Sequence, residues 1–218
     1  MYGGAQLAVK TLNTNYDLDI QEYITINFTG LEKVVNKIGG VEVEVKSSEI
    51  KELNKYIKQL NELNGGQQSK LLTSGGKQTL DGRQTVAYSR IRKVNGGNDV
   101  QRTARQRDVL DIIIAKLFKL SHTELVTLAY DFMPYVETSF SINEIVDTVS
   151  DYNTFKNAER DDFRYPQEYE SVYIDGVATI RPLTLESNVK KLFAFIYEVE
   201  DYETSEMVRE ISEIVKNK

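Results

Sequence analysis

The segment Val41-Glu42-Val43-Glu44-Val45 alternates apolar and acidic positions without a break, and it predicts a strand with one face buried. Tyr23–Phe28 alternates in the same way and is rich in β-branched and aromatic residues, so it too is expected to be a strand. Between them, Leu31, Val34, Val35 and Ile38 recur at helical spacing. Thr29 is placed to cap that helix and Gly39-Gly40 to end it. The order strand, helix, strand suggests a sheet with helices against it, with a right-handed crossover if the strands are parallel.

The remaining pattern is mostly helical. Ala5–Leu12 predicts a first helix with Leu7, Ala8 and Thr11 or Leu12 facing inward. Ile50, Leu53, Ile57 and Leu60 mark a thin apolar stripe over Ser47–Leu63, and a polar loop over Asn64–Ser69 follows. Asp81-Gly82 reads as a turn before a short helix over Gln84–Arg90, with Val86, Ala87 and Ile91 inward. Val109, Ile112, Ile113, Leu117 and Leu120 define the apolar face of a longer helix over Val100–Leu120. Ser121 with Glu124, and Ser141 with Glu144, have the spacing of capping boxes and predict helices over Glu124–Phe132 and Ile142–Val149, the second continuing through Tyr152–Phe155. Tyr173–Ile180 reads as a hairpin turning at Asp175-Gly176. Val189, Leu192, Phe193 and Ile196 predict an inward face on a helix within Leu183–Val199, and Met207, Val208, Ile211 and Ile214 support a terminal helix.

Composition narrows the chemistry. The chain has 218 residues, no Cys and one His, so disulfides, thiol nucleophiles and His-based zinc sites or triads drop out. His122 falls inside the Ser121 capping box and is expected to be a surface residue at a helix start. No apolar run is long enough to cross a bilayer, and the start lacks the basic and apolar regions of a signal peptide. A formal net charge of -6 argues against bulk nucleic-acid binding.

Against that acidic background, Arg83 to Arg107 carries seven Lys and Arg residues and one acid, Asp99. Arg90 and Arg92 flank the apolar Ile91, and Arg102, Arg105 and Gln106 share one predicted helical face near the N-terminus of the longer helix. A Gly- and Asn-rich loop over Val94–Val100 lies between the two groups. Guanidinium forks beside free helix N–H groups suit one or more phosphates. The ordinary alternative is that these arginines are solvated or paired with acids.

The motifs also resemble the LytR-CpsA-Psr family of cell-envelope proteins. The resemblance is carried by Tyr2-Gly3-Gly4, by Gly30 to Gly39-Gly40-Val41, by Gly76–Gly82 followed by Ala87-Tyr88-Ser89-Arg90-Ile91-Arg92, and by Asp99 with Arg102 and Arg105-Gln106-Arg107. Tyr135–Ser141 is similar to a later family segment. The resemblance implies an α/β fold, a three-layer α/β/α sandwich with a central mixed sheet around a lipid cavity. It implies a phosphotransferase that moves a glycopolymer, of teichoic acid or capsular polysaccharide type, from a polyprenyl-pyrophosphate carrier to peptidoglycan at the outer face of the bacterial membrane. Arg90, Arg92, Arg102 and Gln106 match its pyrophosphate-gripping positions, and Asp99 matches an acid of the same mouth.

Mg2+ held by carboxylates is expected for the complete family domain, and no ligand set for it is assigned within this sequence. The family has a further segment before its YGG helix, with the first strands, an Asp-Arg stretch for metal and phosphate, and a lysine. The sequence therefore resembles an N-terminally truncated domain over residues 1–155, with a C-terminal extension over 156–218 packed on it. Strand edges left uncovered would favour self-association. Two other functions compete: a catalytically inactive module that binds polyprenyl pyrophosphate or an anionic polymer, and an envelope-linked transcriptional regulator or attenuator.

Overall fold

A computed structural model describes residues 3–92, 99–141, 144, 161 and 163–216. The helix expected over Ile142–Val149 and its continuation through Tyr152–Phe155 lie outside the described residues. The chain divides into two compact units, one of Ile24–Asn157 and one that joins Met1–Tyr23 to Ala158–Lys218. The first helix thus groups with the C-terminal segment, whereas the sequence placed it with residues up to 155.

In the Ile24–Asn157 unit the elements are β1 (Ile24–Ile26), α2 (Phe28–Lys37), β2 (Val41–Val45), α3 (Ile50–Asn64), β3 (Gly76–Leu80), α4 (Gly82–Ser89), α5 (Asp99–Leu117), α6 (His122–Phe132) and β4 (Val136–Thr138); α1 (Gly4–Tyr16) precedes them in the chain. The first strand is shorter than its alternation suggested. Asn27 caps α2 by accepting a hydrogen bond from the Gly30 amide at 2.8 Å, so helix replaces strand from Phe28 onward and Thr29 lies inside it. Gly39 and Gly40 end the helix with φ of 78° and 85°, a region that favours glycine.

β2 buries Val41, Val43 and Val45 and exposes its two glutamates, as the alternation predicts. Its partner β3 lies antiparallel, with Val41 opposite Leu80 and Val45 opposite Gly76. β1 pairs antiparallel with β4. Thus β1 and β2 are not neighbours, and no parallel crossover joins them; the described strands form three antiparallel pairs. The architecture is mixed α/β, with helices packed on the strands: α4 touches α2, α3 and α5, and α5 backs β2.

The core of this unit joins Val35, Val41 and Val45 to Leu53 and Ile57 of α3, Val86 and Ala87 of α4, Ile91, and Val109 and Ile113 of α5. Burial of these side chains is the main stabilising term. Gly82 sits where α4 starts against α2, so close that an added Cβ would lie 2.0 Å from the Glu32 carbonyl oxygen. Its amide donates to Asn36 Oδ1 at 2.7 Å. At the far end of α5, Lys116 Nζ donates to the carbonyls of Ile38 and Gly40, at 3.3 and 2.8 Å. A cation there offsets the negative end of α2.

The other unit holds α1, the hairpin of β5 (Tyr169–Ile174) and β6 (Val177–Pro182), and helices α7 (Leu185–Tyr197) and α8 (Glu206–Lys216). Asp175 and Gly176 turn the hairpin with φ of 51° and 77°, as the Asp-Gly pair predicts. Leu185, Val189, Phe193 and Val208 form its buried core, with Tyr16, Leu18, Tyr202 and Ile211 against them. No residue of α1 is buried, so the inward face expected for Leu7, Ala8 and Thr11 or Leu12 is not formed. Ile196 and Ile214, also expected inward or on an apolar face, are exposed. Polar bonds do much of the holding here. The fully buried Asn188 accepts from the amides of Gln167 and Glu168 and donates to the carbonyls of Glu168 and Thr184.

Candidate functional site

The basic stretch folds around one junction, where the end of α4 meets the first turns of α5. Asp81 and Gln84 form a capping box that starts α4, with the Gln84 amide donating to Asp81 Oδ1 at 2.8 Å and the Asp81 amide donating to Gln84 Oε1 at 2.8 Å. The helix then buries Val86, Ala87 and Tyr88 and stops at Arg90. Ile91 is fully buried and fixes the chain there, while Arg90 is half-buried and Arg92 exposed. The Arg90 guanidinium lies 5.0 Å from the ring centre of Tyr56 on α3, a cation–π contact that holds its direction.

From α5, the exposed Gln106 reaches across and donates through Nε2 to the Ser89 carbonyl at 3.4 Å. Arg102 is half-buried one turn earlier on the same helix. The structure therefore brings Gln106 to the residue before Arg90, and Arg102 to the adjoining turn. The side chain of Asp99, the first residue of α5, lies outside the described part of the chain.

Arg105 departs from the expectation that it shares a face with Arg102 and Gln106. It turns inward and is buried. Its Nε and one terminal nitrogen donate to Glu49 Oε1 at 3.0 and 2.8 Å, and its other terminal nitrogen donates to the Ile91 carbonyl at 3.0 Å. The reason is Glu49, which is also buried and whose second oxygen accepts the Lys46 amide at 3.0 Å. A buried carboxylate without a cation would be costly. Burial, and then the charge of Glu49, push the Tyr88 phenol above its usual range.

Arg83, the first cation of the stretch, is likewise buried. It donates to Asn61 Oδ1 at 2.8 Å and to the carbonyls of Gln67 and Gly65 at 3.2 and 3.1 Å. Its Nε lies 3.6 Å from Glu32. Burial holds the Glu32 carboxyl above the usual carboxylate range, and Arg83 and Asn64 offset only part of that. These two structural arginines were not separable from the others by sequence, because their acidic partners lie far away in the chain.

Three acids of this region are already engaged. Glu49 is taken by Arg105, Asp81 by Gln84 and by Ser69 at 2.8 Å, and Glu32 by Asn64 at 2.9 Å. Among the described residues no three His, Cys, Asp or Glu side chains come together as metal ligands. The described residues therefore offer no ready ligand set for the Mg2+ expected for the family. No described helix is long and apolar enough to cross a membrane. His122 is exposed at the start of α6, where Ser121 and Glu124 form the predicted capping box.

The chain is similar to several known proteins. The polyisoprenyl-teichoic acid–peptidoglycan teichoic acid transferase TagT of Bacillus subtilis is 39% identical over 120 residues, 55% of this chain and 34% of TagT. A transferase of the same description, TagU of Enterococcus faecalis, is 31% identical over 157 residues, 70% of this chain and 45% of that protein. The chain thus spans between a third and a half of the length of these relatives. The crystal structure of Bacillus subtilis TagV superposes with a TM-score of 0.65 at 22% identity, over 93% of this chain and 72% of that one, which shows a shared fold. The LytR_cpsA_psr family matches residues 1–193. With that match running through both the arginine-bearing junction and the C-terminal hairpin, the chain belongs to the LytR_cpsA_psr family.

Proposed function

We propose that this chain is the diphosphate-gripping part of a glycopolymer phosphotransferase of the cell envelope. Its substrate is a glycopolymer linked to a polyprenyl diphosphate, and its acceptor a hydroxyl of peptidoglycan. Arg90, Arg92, Arg102 and Gln106 hold the diphosphate, and Asp99 belongs to the same mouth. The observation that carries this reading is the junction, where Gln106 bonds the Ser89 carbonyl beside the Arg90 that stacks on Tyr56. Relatives named as teichoic acid transferases support the substrate class.

In the reaction, an acceptor oxygen forms a bond to the phosphorus that carries the sugar, and the bridging P–O bond of the diphosphate breaks. Polyprenyl phosphate leaves with the bonding electrons, and the hydroxyl proton is lost to solvent or base. Arginines that grip the bridging and terminal oxygens stabilise the charge that gathers on the leaving phosphate. Placement at a membrane's outer face is part of the same proposal and rests on the family, while the lipid carrier supports only nearness to a membrane. The exposed Ile24 of β1 and Tyr173 of β5 lie on two-stranded pairs, and this supports self-association through strand edges.

The test is binding of farnesyl diphosphate in detergent by calorimetry. Arg90→Ala and Arg92→Ala are each expected to weaken it about tenfold or more, with little change in melting temperature. Equal affinity for both variants and the wild type would sink the reading. Release of polyprenyl phosphate from a lipid-linked substrate, with and without Mg2+, then separates transfer from binding alone.

A further inference from the structure

We propose that Arg105 and Glu49 are positioning residues that set the spacing of the diphosphate grip, an inference that rests on the reading of the junction as a diphosphate site. Three observations lead to it. Arg105 binds both a buried acid and the backbone carbonyl of Ile91, the residue between Arg90 and Arg92. Its neighbour Gln106 binds the Ser89 carbonyl, so two consecutive residues of α5 hold the chain on both sides of Arg90. Glu49, at the other end of the ion pair, directly precedes α3, the helix whose Tyr56 lies under the Arg90 guanidinium.

The pair thus ties three elements to one point. α5 supplies Arg102 and Gln106, the 89–92 segment supplies Arg90 and Arg92, and α3 supplies the ring that orients Arg90. A buried ion pair is a weak source of net stability, since desolvation of both charges offsets most of their attraction. It is a strong source of direction, because a guanidinium fork fixes both angle and distance. A diphosphate needs donors held at the separation of its two phosphorus centres, and a monophosphate does not. Loss of the fork should therefore reduce discrimination between the two, beyond the destabilisation that follows from leaving one charge buried without its partner.

The experiment measures affinities for farnesyl diphosphate and farnesyl monophosphate in the same detergent, with melting temperatures, for wild type, Arg105→Lys, Glu49→Gln and Arg83→Lys. Lysine keeps the charge at position 105 but lacks the planar fork that fixes the angle between Glu49 and the Ile91 carbonyl. Arg83→Lys is the control, because it disturbs the other buried pair, whose described bonds go to Asn61 and the loop at Gly65 and Gln67. Arg105→Lys is expected to lower the diphosphate-to-monophosphate affinity ratio about tenfold. Glu49→Gln, which keeps the shape and one acceptor, should lower it about threefold. Arg83→Lys should lower the melting temperature and leave the ratio unchanged.

An unchanged ratio in Arg105→Lys, with a diphosphate preference intact in the wild type, would overturn the positioning role and leave the diphosphate reading standing. A ratio that falls equally in Arg83→Lys would overturn it as well, since general loosening would then suffice. If Arg105→Lys and Glu49→Gln both fail to fold, the pair holds the fold itself and the inference is wrong. A wild type that binds neither lipid, or prefers neither, defeats the diphosphate reading and the positioning role with it.

Discussion

The two units of the chain are held by different means. In Ile24–Asn157 an apolar core runs from the valines of β2 through α3 and α4 to Ile113, and polar side chains enter it as two buried arginine–glutamate pairs. The unit of the two chain ends has a small apolar cluster around Val189 and Val208. It is held instead by Asn188, by Ser212, whose hydroxyl oxygen accepts from the Leu185 amide, and by ring contacts such as Phe193 on Tyr202 at 3.5 Å. The candidate site lies in the unit with the continuous core. Directed charge needs a rigid base, because an arginine on a mobile segment spends binding energy on its own ordering.

The largest effect expected is on that base. Gly82→Ala puts a methyl group onto the backbone of α2, which cannot yield without moving the helix. It should destabilise the Ile24–Asn157 unit by about 3 kcal/mol or more. Hydrogen exchange resolved by segment should show the loss there and none in α7 and α8. Equal loss in both units would mean that they unfold as one, and the contrast would fail.

Asn188→Ala is the reciprocal experiment. It strands two amides and two carbonyls that the side chain now satisfies. The cost should be about 2–4 kcal/mol, confined to the chain-end unit, with farnesyl diphosphate affinity unchanged. A fall in affinity would tie the second unit to the site.

Tyr56→Ala removes the ring beneath Arg90 and should weaken farnesyl diphosphate binding about threefold. Tyr56→Phe keeps the ring face and should bind as the wild type does. A loss in the Phe variant would assign the role to the hydroxyl.

The smallest effect is on pH dependence, and its sign differs between the units. Burial raises the Glu32 pKa, so its proton is held more tightly in the folded chain. Its contribution is complete below the unfolded carboxylate value and is lost as pH rises through the folded one. Glu168 is lowered, first by the hydrogen bond from Lys191 and then by that from Ser187. Its contribution is present above the unfolded value and is lost as pH falls through the folded one. Denaturation midpoints from about pH 2 to about pH 7 should change slope in opposite directions, above about pH 4 in Glu32→Gln and below about pH 4 in Glu168→Gln. Slopes of the same sign would remove the distinction.

What could be read from sequence was local. The alternation of β2, the stripe of α3, the capping boxes at Ser121 and Ser141 and the Asp175-Gly176 turn each need only residues a few positions apart. The strands β3 and β4 carry no such signal, for Gly76–Leu80 becomes a strand by pairing with β2, and Val136–Thr138 by pairing with β1. In the candidate site, spacing grouped Arg102, Arg105 and Gln106 on one helical face near Arg90 and Arg92, and the structure brings Gln106 to the Ser89 carbonyl. The inward turn of Arg105 was not visible, because helical periodicity gives its direction only to within a face. Glu49, 56 residues away, decides which side of that face is buried. For α1 the pattern misled: Leu7, Ala8 and Thr11 or Leu12 fall at helical spacing, yet Leu7 is 46% exposed.

Lys116 gives α5 a second anchorage. Between Arg105, fixed to Glu49, and Lys116, fixed to the turn that ends α2, lies about 16 Å of helix. A beam clamped at both ends can flex slightly but cannot slide, since a shift of one residue along its axis would break donors at both supports at once. The backbone under Arg102 and Gln106 is then a fixed abutment, and a ligand arriving there meets side chains that swing on a frame already set.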